Sequence, residues 1–164
     1  MTPEPDVATA RRRAQELVEG GEVSGVGLRT RGQLGDPIRI VTPAGALHGW
    51  FVPLTMADVL TGFLELTPDL EVRRASTFQR REDSLAGCPS AASWLVPDTI
   101  RQRAEAKLRP SEKALAPQLS YDRTPARIAW AVPVISASGH ERTVFVAGDV
   151  VWEEVRNGTD GMIE

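Results

Sequence analysis

Thiol and imidazole chemistry in this 164-residue chain rests on three side chains, Cys88, His48 and His140. With Asp122 as a carboxylate, Cys88 and His48 supply the residue types of a nucleophile, a base and a group that orients the base. Such a trio works only if the thiolate lies within hydrogen-bond reach of the imidazole. Cys88 sits in "LAGCPSAASW", which offers no adjacent base or cation, so an inert, packed thiol is the plainer expectation. His48 interrupts an otherwise apolar row, either at the wet end of a strand or in a pocket beside Trp50; one imidazole by itself makes neither a metal site nor an acid-base pair. His140, in "ASGHER", reads as a solvated turn residue. One cysteine excludes an internal disulfide and a cysteine-rich zinc site, and two distant histidines exclude a histidine-rich one. No catalytic residue, metal or cofactor is expected.

A second polar constellation is "SYDRTPAR", where Tyr121, Asp122 and Arg123 could hold a polar ligand, although turn propensity accounts for the same residues. "FQRREDS" reads as a charged connector. "GVGLRTRG" places glycines at Gly25, Gly27 and Gly32 but has neither the phosphate-loop lysine nor the dinucleotide spacing. Of the four tryptophans, Trp50 and Trp130 fall in apolar strands; Trp94 and Trp152, if exposed, would mark a binding surface.

The elements that must position these groups follow from periodicity. Ala10, Ala14, Leu17 and Val18 lay an apolar stripe on a helix that Asp6 can cap and Gly20 with Gly21 can end. Strands are predicted over Val23–Thr30, Ile38–Val41, Leu47–Leu54, Val59–Leu66 and Val72–Phe78. A second helix, Pro97–Leu108, is followed by strands over Gln118–Asp122, Ile128–Ile135, Thr143–Ala147 and Val150–Glu153. Shifting the chain by eighty positions lays Trp50, Val52 and Pro53 on Trp130, Val132 and Pro133, with Asp69 on Asp149. In a strand, alternation puts His48, Trp50, Val52 and Leu54 on one face, and Ile128, Trp130, Val132 and Val134 on its counterpart. The two prolines, unable to donate to a ladder, mark a strand end, bulge or edge.

The fold class is therefore α+β: two helix-plus-antiparallel-sheet units, residues 1–80 and 97–156, with a connector at 81–96, a tail at 157–164, and one continuous sheet as a possible join. A net charge of −3 with both signs interspersed argues against nucleic-acid binding. No window is long and apolar enough for a membrane span, and the N-terminus lacks a signal-peptide core, so the cytoplasm is expected. Arginine-rich, lysine-poor composition is that of high-GC bacterial proteins.

The segment "ARIAWAVPVISASGHERTVFVAGDVVWEE" resembles the core of a PepSY-type domain, with an aromatic strand, a turn, a second strand reaching "VAGD", and a short return. The likeness covers Pro97 to Glu154 best and Val7 to Phe78 less closely, and extends to cystatin-like folds. It implies a noncatalytic role, often toward peptidases as an inhibitory or chaperoning segment; PepSY-type domains are usually exported, whereas this chain shows no export signal. The expected function is a noncatalytic module binding a peptide or protein along a strand edge or in a helix–sheet groove. The alternative is a small enzyme or ligand carrier with His48, Cys88 and Asp122 in a cavity under the helix. The longer, glycine-rich first unit is the expected recognition surface.

Overall fold

The computed structural model describes residues 3–20, 32–81 and 84–155. The strand expected over Val23–Thr30, with Gly25 and Gly27, and the tail at 157–164 lie outside the described residues.

Helix α1 (Val7–Glu19) begins where Asp6 accepts from the Thr9 amide at 2.8 Å, which satisfies one of the free amides of its first turn, and ends at Gly20. Its buried stripe is Ala10, Ala14 and Leu17. Five strands follow: β1 (Gln33–Leu34), β2 (Ile38–Val41), β3 (Leu47–Met56), β4 (Val59–Leu66) and β5 (Val72–Thr77). Helices α2 (Ala92–Leu95) and α3 (Pro97–Ala104) come next, α3 running into a 3-10 turn at Glu105–Lys107. The second set of strands is β6 (Lys113–Ala114), β7 (Gln118–Tyr121), β8 (Ile128–Ile135), β9 (Glu141–Ala147) and β10 (Val150–Glu153).

Both sheets are antiparallel and built alike. β3 is flanked by β4 on one side and by β2 and β1 end to end on the other, with β5 outside β4; β8 is flanked by β9 and by β7 and β6, with β10 outside β9. Around β3 and β8 the ladder repeats at the same eighty-residue offset: Trp50 faces Leu66 as Trp130 faces Val146, Ile38 faces Phe51 as Gln118 faces Ala131, and Leu34 faces Leu54 as Ala114 faces Val134. The recurring proline has a place in this plan. The Pro53 carbonyl accepts from the Gly35 amide at 2.9 Å, and the Pro133 carbonyl accepts from Leu115 at 2.8 Å. Each proline nitrogen therefore points to where one flanking strand gives way to the next, and no ladder bond is lost there.

The first sheet is buried on both faces. Ala10, Ala14 and Leu17 of α1 cover Trp50, Val52, Leu64 and Leu66. The opposite face, with Ile40, Phe51, Leu60 and Phe63, belongs to one core with Ile100 and Ala104 of α3 and with Trp130, Val132, Val134, Val144 and Val146 of the second sheet. Trp94 of α2 links the two: its ring stacks on Phe51 at 6.2 Å, and its carbonyl accepts from the Trp130 indole at 2.9 Å. Burying each large apolar side chain of this core stabilises the fold by roughly 1.5–3 kcal/mol.

Two expectations need correcting. Among the described residues the sheets are not joined into one continuous sheet; β2 and β7 lie side by side, and the Ser120 hydroxyl donates to the Val41 carbonyl at 2.6 Å across the seam. His48 does not share the face of Trp50. The ladder slips between Ile40 and Val41, pairing Ile40 with Gly49 and Val41 with Leu47, so His48 is the bulged residue and turns toward the second unit. Its counterpart Ile128 stays in register opposite Tyr121. Beside the bulge, Gly49 is required: a Cβ there would collide with the Leu66 carbonyl.

Candidate functional site

The seam gathers polar groups from both units. Glu65 on β4 is fully buried and is gripped by two arginines of β5: Arg73 Nη1 donates to Oε2 at 2.8 Å and Arg74 Nε to Oε1 at 2.7 Å. Arg73 also donates to the His48 carbonyl at 2.8 Å, and Arg74 to the Ala126 carbonyl of the second unit at 3.2 Å. The His48 ring meets Tyr121 edge-on, with centroids 5.0 Å apart. Desolvation, helped by the charge of Arg73 and opposed by Glu65, holds the His48 pKa below its ordinary 6.5.

Beside Tyr121 lies a cavity of about 360 Å³ over the second sheet, lined by Pro43 of the first unit, by Ser120 to Arg123, by Ala131, Thr143 and Phe145, and by Glu154 and Val155. Its floor residues Ala131, Thr143 and Phe145 are the counterparts of Phe51, Phe63 and Glu65; in the first sheet Phe51 and Phe63 pack into the core shared with the second unit, and Glu65 is covered by Arg73 and Arg74. In the second sheet the equivalent face carries the cavity instead. Two of its lining residues are fixed by a neighbouring stack: Trp152 lies on Phe145 at 5.6 Å, Arg127 sits 4.1 Å above the Trp152 ring, and Asp122 accepts from the Trp152 indole at 2.7 Å. Arg123, at a positive φ of 66°, donates to the Val155 carbonyl at 2.7 Å and ties the β7–β8 loop to the chain beyond β10.

Four of the residues singled out from sequence thus come together here, His48, Tyr121, Asp122 and Arg123, with Trp152 beside them. The other three lie elsewhere. Trp50 is 1% exposed beneath α1, and Trp94 belongs to the core that the units share. Cys88 lies in the loop after β5; the next residue, Pro89, accepts through its carbonyl from the amide of Leu60. Leu60 is five residues from Glu65, roughly 16 Å along an extended strand, so the Cys88 loop is near the opposite end of the sheet from His48. Burial raises the Cys88 pKa, and Asp122 is occupied by Trp152 rather than by an imidazole. The thiol, imidazole and carboxylate do not form a triad. Among the described residues no group of His, Cys, Asp and Glu side chains is placed to hold a metal, and no helix is long and apolar enough to cross a membrane.

Sequence reasoning missed Glu65, the group at the centre of the seam. A signal was present: a single charge inside the apolar run "TGFLEL" demands a partner, and "RR" follows in the next strand. Compared with family models, curated proteins and solved structures, the chain has no match.

Proposed function

We propose that the chain is a noncatalytic binding module that takes up an extended peptide or protein segment on the open face and free edge of the second sheet. One observation carries the reading: a sheet face that is buried in the first unit is open in the second and forms a cavity with aromatic and polar walls. Among the described residues β10 is paired on one side only, Val150 is 56% exposed, and an edge strand of this kind is a template for an added one. Separation of Cys88 from His48 and Asp122 supports a noncatalytic role over the alternative of a small enzyme. A helix packed on one face of each antiparallel sheet is in keeping with a PepSY-type likeness for both units, which is part of the proposal.

This places recognition in the second unit, whereas the spacing argument favoured the first. The test is selection of a displayed random-peptide library on the whole chain, followed by hydrogen exchange with a selected peptide. Protection is expected in β10 and at residues 120–123, with binding lost in Thr143→Trp, which fills the cavity. Protection confined to the first sheet, or unchanged binding by Thr143→Trp, would overturn the reading.

A further inference from the structure

The cluster at the seam contains one polar atom that its neighbours do not satisfy. His48 is 17% exposed at its side chain, and its Nε2 is buried with no hydrogen-bond partner among the described residues. That nitrogen lies 4.0 Å from Glu65 Oε2, the same oxygen that accepts from Arg73 at 2.8 Å. Four titratable or charged groups surround it: Glu65 from β4, Arg73 and Arg74 from β5, and Tyr121 from β7. Arg73 is tied to both contestants, since it also holds the His48 carbonyl.

We propose that His48 makes the join between the two sheets sensitive to protons. As a neutral ring it supports Tyr121 and leaves Glu65 to the arginines. As an imidazolium it competes with Arg73 for one oxygen of a fully buried carboxylate and places a third positive charge beside it. The contacts at stake are those that cross the seam: the Tyr121 ring against His48 and the Arg74 bond to the Ala126 carbonyl. Because Tyr121 also lines the cavity, loosening there would reach the open face of the second sheet.

The sign follows from the lowered pKa. Well above 6.5 the ring is neutral whether the chain is folded or not, and pH has no effect through it. Below 6.5 the unfolded chain takes up a proton that the folded chain resists, so stability falls with pH until the folded pKa is passed. One proton of difference is a loss of up to about tenfold in the folding equilibrium constant per pH unit.

The experiment has two arms, so that a poorly folding variant does not end it. The imidazole signals of the intact protein are titrated by NMR, with His140→Gln used to assign the two histidines; His48 is expected to titrate below 6.5. Urea unfolding and hydrogen exchange are then compared between the wild type and His48→Gln from pH 7.5 down to 5. The wild type should lose stability relative to the variant, and amides at 118–126 should lose protection only in the wild type. A His48 titrating at or above 6.5, or parallel pH profiles for the two proteins, overturns the proposal.

Discussion

Glu65 is a liability that its partners hold in check, and removing the partners should cost more than removing the charge itself. The carboxylate is 0% exposed, whereas Arg73 and Arg74 keep 29% and 34% of their side chains in water. In Arg73→Ala/Arg74→Ala the carboxylate is left inside the protein without either guanidinium, and breaking a buried pair in this way costs about 3–5 kcal/mol. Glu65→Met deletes the same ion pairs but leaves nothing charged inside. The arginines can turn outward while Arg73 keeps the His48 carbonyl and Arg74 keeps the Ala126 carbonyl and the face of Phe63, 5.4 Å away. An apolar side chain of similar volume should therefore cost about 1–2 kcal/mol. Urea unfolding followed by tryptophan fluorescence measures both, with an equal slope required for the comparison. If Glu65→Met proves as destabilising as the double arginine variant, the reasoning fails, because the pairs themselves and not the stranded charge would be what holds the seam.

Two further outcomes can be checked. Arg142 grips Glu112 through two bonds of 2.7 and 2.8 Å, and with the Arg109 amide, which also donates to this carboxylate, it holds the Glu112 pKa down to about 2 from an ordinary 4.5. A lowered carboxylate pKa stabilises fully above 4.5 and is lost as pH falls toward 2, so the stability gap between wild type and Glu112→Gln should narrow across that interval in acid-titrated unfolding. The Cys88 pKa is raised by burial, so at pH 7 its reaction with a disulfide reagent should be slower than that of a free cysteine, and Cys88→Ser should leave peptide binding unchanged. Rapid labelling, or loss of binding without loss of stability, would place the thiol in a working site.

The longer strands were legible because apolar alternation and β-branched runs bounded by turns survive without knowledge of the partner; Ile38–Val41, Val59–Leu66, Ile128–Ile135 and Val150–Glu153 stand at their expected bounds. β1 and β6 were not legible, since "QL" and "KA" carry no strand signal and pair only because β3 and β8 extend past β2 and β7. α2 is a single short helix set by Ser90 and Ala91 carbonyls. The expected helix to Leu108 instead tightens to 3-10 geometry at Glu105. At the site, Tyr121, Asp122 and Arg123 were visible as a local cluster. The orientation of His48 was not, because a bulge reverses the face of a side chain without changing the residues around it.

The offset ladder also bears on how the chain folds. Among the described residues, paired residues of two strands are at most 22 positions apart in either sheet, the longest spans being Gln33 to Thr55 and Lys113 to Ile135. Each sheet can therefore close by local search alone, the regime of low contact order and fast pairing. What remains non-local is the meeting of Phe51 and Phe63 with Trp94 and the strands around Trp130. Contact order alone would put that step after the closure of two sheets whose β3–β4 and β8–β9 pairings share the eighty-residue offset. During such an interval a strand of one half could enter the matching place in the other half, or in another molecule, although the bulges of the first sheet have no counterpart in the second. Glu65 marks the two places as different: its counterpart in the other sheet is Phe145, so an exchanged β4 would set a carboxylate against Trp152 in place of an aromatic ring.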